Sequence, residues 1–213
     1  DEEVVALKRI NLKIYKGEVC CIFGTSGSGK STFLNQLAGM EKPTKGQGFI
    51  RGKNISDMNE EELAAFRQEH MSFIFQSYNL LPSMTAVENV AMPLMFKGMD
   101  RKKREAMAEE MLKRVGLSHR LHHYPSQMSG GQQQRAGIAR AFVSRPEVVF
   151  ADEPTGNLDT KTTAEIMDMV MGFARRFNQT IILVTHDPGM SRYADRIVTL
   201  VDGIITGDER KGQ

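Results

Sequence analysis

Hydrophobic positions along this chain follow two periods. Short unbroken apolar runs alternate with longer stretches in which apolar residues recur every three to four positions. The first segment is apolar at Val4, Val5, Ala6 and Leu7 and then at Ile10, Leu12 and Ile14, and Lys16-Gly17 reads as a turn. Val19 to Phe23 is a short apolar run that stops at a glycine, the pattern of a buried strand. Lys30 to Ala38 carries Phe33, Leu34 and Leu37 at helical spacing. Pro43, Gly46 and Gly48 lie between Gly39 and Gly52, so turns and short strands are expected there. Glu60 to His70 predicts a helix and Ser72 to Phe75 a strand.

Between about Ser77 and Gln127 the texture changes. Val87 to Phe96 and Arg101 to Val115 are helical patterns rich in methionine, with no strong strand between them. This predicts a helical insertion. Beyond it the alternation resumes, with a helix over Gln132 to Val143, a strand over Val148 to Ala151, and a helix over Thr160 to Phe177. Further strands are expected at Ile181 to Thr185 and Arg196 to Leu200. Strands alternating with helices imply an α/β fold, a mainly parallel sheet covered on both faces. The chain then reads as one domain, residues 1–213. Its core is about 1–76 and 132–213, with a helical subdomain at about 77–131.

Composition narrows the function classes. The 213 residues are 40% hydrophobic and 25% charged, with a net charge of only +2. No long Lys/Arg block provides a nucleic-acid footprint. Arg101-Lys102-Lys103-Arg104 is followed by Glu105, Glu109 and Glu110 and reads as a solvated helix start. Cys20 and Cys21 are adjacent within a strand pattern, so their side chains face opposite ways, which excludes a disulfide framework. No apolar stretch approaches the roughly 20 residues needed to span a bilayer, and the acidic start Asp1-Glu2-Glu3 lacks a signal-peptide pattern. Any membrane role is therefore expected to run through a partner. His119, His122 and His123 lie in a loop-like stretch with no cysteine nearby and read as surface residues rather than metal ligands.

Two motifs carry chemistry. Gly24-Thr25-Ser26-Gly27-Ser28-Gly29-Lys30-Ser31, followed by Thr32, fits the phosphate-loop pattern G-x-x-x-x-G-K-S/T between a predicted strand and a predicted helix. Its glycines let backbone N–H groups turn towards a phosphate, and the helix N-terminus adds favourable partial charge. Lys30 can reach the terminal phosphates, and Ser31 can place its hydroxyl on Mg²⁺. The second motif is the apolar strand that ends in Asp152-Glu153, where Asp152 suits metal holding and Glu153 suits activation of water as a general base.

Met128-Ser129-Gly130-Gly131-Gln132-Gln133-Gln134-Arg135 closely resembles the ABC signature, usually written L-S-G-G-Q, with methionine in place of leucine. Other segments are similar to further elements of the ABC ATPase family. Gln76 after Phe73-Ile74-Phe75 matches the Q-loop, Asn157-Leu158-Asp159 the D-loop, and His186 after Ile182-Leu183-Val184-Thr185 the switch histidine. The resemblance implies a P-loop NTPase of ABC type, with a mainly parallel sheet core, an N-terminal antiparallel β part and an α-helical subdomain. It also implies ATP and Mg²⁺ as ligands. Glu153, His186 and Gln76 would serve catalysis, and Ser31, Gln76 and Asp152 the metal. The loop from Gly24 to Thr32 would hold the phosphates. Ser129, Gly130, Gly131, Gln132 and Asp159 would act across a head-to-tail dimer on a second subunit's nucleotide.

Within the family, Phe75 to Pro82, Glu88-Asn89-Val90 and Ala151 to Asp159 look most like the branch of lipoprotein release, macrolide export and antimicrobial-peptide resistance. That implies a transmembrane permease partner, a cytoplasmic position on the inner face of the membrane, no nucleic-acid partner, and a lean towards export or extraction. Tyr78, Leu80, Leu81 and Met84 are the candidate residues for a permease helix. The family's adenine-stacking aromatic has no counterpart before Tyr15, which itself reads as a strand residue. The alternatives are a slow regulatory ATPase or scaffold with a membrane partner in cell division, or a DNA-associated ABC ATPase. A DNA clamp separates its halves by a long coiled coil, whereas here the phosphate loop and signature are about a hundred residues apart without sustained heptads.

Overall fold

A computed structural model of the chain describes residues 5–211. In chain order the elements are β1 (Val19–Phe23), α1 (Lys30–Leu37), β2 (Phe49–Ile50), β3 (Lys53–Asn54), α2 (Glu60–His70) and β4 (Met71–Phe75). There follow α3 (Ala86–Phe96), α4 (Arg101–Arg114), α5 (Gly130–Val143), β5 (Val148–Asp152), α6 (Thr160–Phe177), β6 (Thr180–Thr185), β7 (Arg196–Val201) and β8 (Ile204–Arg210). Six strands form one sheet in the order β4-β5-β6-β1-β7-β8. All neighbours in it are parallel except the last pair, β7 and β8.

The unbroken apolar strands are explained by burial on both faces. Successive residues of a strand point to opposite sides. Cys21, Val149, Ala151, Ile181 and Leu183 pack with α3, α4, α5 and α6 in one core. Ile22, Phe150, Ile182 and Val184 pack on the other face, with Phe33 and Leu34 of α1 and Leu63 and Phe66 of α2. The two cysteines are free and buried, and burial pushes both thiols up to about 12, which leaves them inert. The helical segment is not walled off, since α3 and α4 share their core with the sheet through α5. Helix α5 is buried at nine positions, among them Gln134 and Arg140.

The antiparallel β part is present in the hairpin β2–β3, with a second antiparallel pairing at the edge between β7 and β8, while residues 5–14 run without strand assignment. Two details depart from the pattern expected of the sequence. Strand β8 was not anticipated because its Thr206-Gly207-Asp208-Glu209-Arg210 stretch is polar, as an edge strand tolerates. Tyr15 is no strand residue. It is 56% exposed, lies under the Arg210 guanidinium at 4.8 Å, and precedes β1 at the end opposite to the phosphate loop.

Candidate functional site

Strand register assembles the site. Phe75 lies beside Asp152, Asp152 beside Val184, and Phe23 beside Thr185. The residues that follow, Gln76, Glu153, His186 and Gly24, therefore leave the carboxyl edge of the sheet in a row. Neighbouring strands are about 4.8 Å apart. Four segments distant in sequence thus converge because the strands are parallel and in register, and ligands of open α/β sheets bind at this edge.

The phosphate loop joins β1 to α1. Gly27 and Gly29 adopt φ 81° and 96°, a region that favours glycine. A Cβ at Gly29 would meet the Ala6 carbonyl at 2.6 Å, while one at Gly27 would meet nothing within 4 Å, so that side of the loop is open. The Lys30 ammonium donates to the Thr25 carbonyl at 2.8 Å and is buried, bridging the loop. Ser28 is buried with its hydroxyl unpaired.

Helix α1 differs from the other five in its ends. Asn59, Thr85, Asp100, Ser129 and Asp159 each cap their helix by accepting a backbone N–H. Helix α1 starts at Gly29 with no side-chain cap and no acidic residue in its first turn. Its amino-terminal N–H groups and positive partial charge are left for an anion. The open loop, the orphan Ser28 hydroxyl and the uncapped helix together fit a phosphate chain. Ser31 is exposed and Thr32 partly so, in the first turn of the same helix.

The acidic pair lies across from the loop. Burial and then the neighbouring Glu153 charge raise the Asp152 carboxyl above its ordinary range, and Lys30 pulls it down. A half-buried carboxylate beside an ammonium suits a divalent cation. Glu153 takes φ 45°, an uncommon value for a residue with a side chain, and its N–H donates to the Val184 carbonyl at 2.9 Å. Its Oε1 accepts the backbone N–H of His186 at 3.0 Å and lies 2.6 Å from His186 Nδ1. Its Oε2 accepts the Thr185 hydroxyl at 3.0 Å. Gln76 faces Asn157 instead, with Asn157 Nδ2 donating to the Gln76 carbonyl at 3.2 Å and Gln76 Nε2 to Asn157 Oδ1 at 3.4 Å. A Cβ at Gly156 would fall 2.7 Å from Gln76 Nε2, so a side chain there would push the Gln76 amide away from Asn157.

The signature turn is elsewhere. Ser129 is exposed and forms a capping box with Gln132, donating its N–H to Oε1 at 3.1 Å and accepting the Gln132 N–H at 3.4 Å. Gly130 abuts the Tyr78 hydroxyl and Gly131 the Thr162 methyl. Asp159 accepts from the Thr162 N–H at 3.0 Å and its hydroxyl at 2.6 Å, as cap of α6. Among the described residues no hydrogen bond joins Ser129, Gly130 or Asp159 to the loop 24–32. The structure therefore gathers the loop, Asp152, Glu153, His186 and Gln76, and leaves the signature and Asp159 apart.

A family model described as "ABC transporter" matches residues 7–156. The chain belongs to the ABC transporter family. The cassette is 47% identical over 211 residues to the macrolide export ATP-binding/permease protein MacB of Shewanella sp. (strain W3-18-1), covering 99% of this chain and 32% of that one. It thus spans about a third of that relative's length. It is 44% identical to the ABC transporter ATP-binding protein YtrE of Bacillus subtilis (strain 168), covering 97% of this chain and 90% of that one. Among solved structures, the dimeric ATP-binding cassette MJ0796 bound to ADP and Pi superposes with a TM-score of 0.89 at 42% identity, over 96% of this chain and 90% of that one. These relatives agree with the macrolide-export and lipoprotein-release branch expected from the sequence.

Four residues that shape the site have no role of their own in the motifs: Thr185, Asn157 and Asn89, which stand there only as motif neighbours, and Arg140. Arg140 carried a legible signal, a lone charge inside the apolar run Ala136 to Val143. The others look like ordinary strand, loop and helix residues.

Proposed function

We propose that this cassette binds ATP with Mg²⁺ and hydrolyses it as half of a head-to-tail dimer, powering a transmembrane permease at the inner face of the membrane. The observation that carries this reading is the row of Gly24, His186, Glu153 and Gln76 at one sheet edge beside an uncapped helix N-terminus. In this reading the loop 24–32 wraps the phosphates with backbone N–H groups, and Lys30 moves from the Thr25 carbonyl to the terminal phosphates. Ser31, Asp152 and Gln76 hold Mg²⁺, which offsets phosphate charge when bound. Glu153 takes a proton from the attacking water. His186 and Thr185 orient the Glu153 carboxylate through the bonds already formed.

Ser129, Gly130, Gly131 and Gln132 close a second subunit's nucleotide, with the N-terminus of α5 behind them. Asp159 faces the same interface. The core segments 1–76 and 132–213 carry the loop and the carboxylates, and the helical segment 77–131 faces the permease. Leu81, 41% exposed, is the accessible one of the expected permease contacts, since Tyr78, Leu80 and Met84 are partly buried. Similarity to MacB, a macrolide export ATP-binding/permease protein, supports export or extraction, with a lipid, lipoprotein, peptide or drug as the class of cargo.

Purified protein should show Mg²⁺-dependent ATP hydrolysis. Glu153→Gln should keep ATP binding, lose roughly 100-fold or more of the turnover, and accumulate an ATP-bound dimer in sedimentation. Near-normal turnover in this variant would remove Glu153 from the mechanism.

A further inference from the structure

The loop that follows Gln76 has a backbone most side chains avoid. Tyr78 and Asn79 take φ 61° and 48° in succession. Two consecutive left-handed residues need support from outside the loop. That support comes from two buried polar side chains on different helices. Asn89 of α3, fully buried, accepts the Leu81 N–H at 2.7 Å and donates to the carbonyls of Leu81, Met84 and Thr85 at 3.0–3.1 Å. Arg140 of α5, 8% exposed, donates Nη2 to the Tyr78 carbonyl at 2.8 Å and Nη1 to the Asn79 carbonyl.

Among the described residues Arg140 has no carboxylate partner. Burial lowers its pKa, so the buried charge works against folding and is offset only by these carbonyls. The Tyr78 hydroxyl meanwhile reaches Gly130, the first residue of α5. The same loop thus touches the signature turn with its side chain and the body of the signature helix with its backbone. Helix α5 also donates, through Gln134, to the Pro154 carbonyl just after Glu153.

We propose that Arg140 is a positioning residue that locks the two left-handed residues after Gln76 onto the signature helix, so that the permease-facing loop and the signature turn move as one body. A planar guanidinium suits this task, because it presents two parallel donors to two successive carbonyls. The inference rests on the functional reading of Gln76 and the signature given above. A permease helix pressing on Leu81 would then shift the signature turn directly, without deforming the phosphate loop.

The test uses purified protein with Arg140→Gln, Asn79→Gly and the double variant. Steady-state ATPase, fluorescent-ATP binding, thermal unfolding and peptide hydrogen exchange are read on each. Arg140→Gln should lower kcat about tenfold or more while nucleotide affinity stays within about twofold, because the phosphate loop is not touched. Amide exchange in residues 77–85 should rise about tenfold with the 24–32 peptide unchanged. Glycine adopts positive φ freely, so Asn79→Gly should be near-neutral alone and should recover about threefold or more of the lost kcat in the double variant. Loss of core stability alone would not be rescued at position 79. If Arg140→Gln fails to fold, Arg140→Lys, which keeps the charge but loses the planar pair of donors, is paired with Asn79→Gly and read the same way. Unchanged kcat in the Arg140 variant, or no recovery in the double variant, overturns the proposal. The exchange arm needs no turnover, so an inactive wild-type protein would defeat the ATPase reading while the lock is still decided by exchange in 77–85.

Discussion

The backbone N–H and the Nδ1 atom of His186 converge on one oxygen of Glu153, at 3.0 and 2.6 Å. The other oxygen accepts the Thr185 hydroxyl at 3.0 Å. Two adjacent residues at the end of β6 therefore orient the carboxylate that β5 delivers. The strained φ of Glu153 turns its side chain towards that strand end, and the parallel register makes the distance short.

Thr185 tests how much that orientation matters. Its hydroxyl donates to Glu153 and also accepts the Asp187 N–H at 3.0 Å. Thr185→Val keeps the shape and deletes both bonds. Turnover should fall about tenfold with ATP affinity retained, and stability should fall by about 1–3 kcal/mol because a backbone N–H loses its acceptor. Thr185→Ser should recover most of both. ATPase assays beside thermal unfolding separate the two effects, and full turnover in Thr185→Val would show that the hydroxyl does not orient the base.

Much of this site was legible in the sequence because each motif sits where a strand ends, and the strands announce themselves as apolar runs. Gly24 to Ser31 and Asp152-Glu153 needed only that context. The helices over 60–70 and 160–177 fall where the apolar spacing placed them, since their amphipathic stripes face a single core. What stayed hidden depends on approach between distant segments. Thr185 reads as a strand threonine until the register sets it beside Glu153. Asn89 reads as a helix-interior polar residue until the loop folds over it. Tyr15 reads as part of a strand because it follows the alternating apolar positions Ile10, Leu12 and Ile14, but the turn at Lys16-Gly17 leaves it exposed at the wrong end of β1 for an adenine contact.

Asp152 should trade stability for ligand binding. Its raised carboxyl means that folding takes up a proton as pH falls towards the folded-state value. The ionised group then lowers stability at neutral pH, and the penalty fades as pH falls through the raised folded-state value, being gone below the unfolded carboxylate value of about 3.9. Without nucleotide, Asp152→Asn should therefore unfold at a higher temperature than wild type at pH 7, with the gain shrinking towards pH 4. With Mg²⁺ and ATP the wild type should gain more than the variant, since ligand binding to the native state stabilises it. Thermal scans across pH, with and without Mg²⁺ and ATP, check both signs. A variant less stable than wild type at pH 7 without ligand would contradict the burial argument.

The last prediction concerns completeness of the site within one chain. Ser129 and Asp159 are exposed and, among the described residues, are hydrogen-bonded only to their own helices, their side chains through Gln132 and Thr162. The loop 24–32, by contrast, is bonded to the sheet edge through Gly24 to the Thr185 carbonyl and through Ser28 to Gly203. If the signature acts on another subunit's nucleotide, activity per chain must depend on encounter. Wild-type turnover per chain should rise with protein concentration and level off once sedimentation shows dimer. The Glu153→Gln variant should reach that dimer at lower concentration in Mg²⁺ and ATP, because it does not discharge the nucleotide that bridges the subunits. Mixing adds a second reading. Ser129→Arg spoils the signature and spares the loop, whereas Lys30→Ala does the reverse. A mixed dimer holds one site with both defects and one with neither. Recovery above either variant indicates sites that fire singly, and no recovery indicates obligate coupling between them. Both outcomes are compatible with a shared site, so the concentration series decides: full turnover in a strictly monomeric wild-type population would refute it.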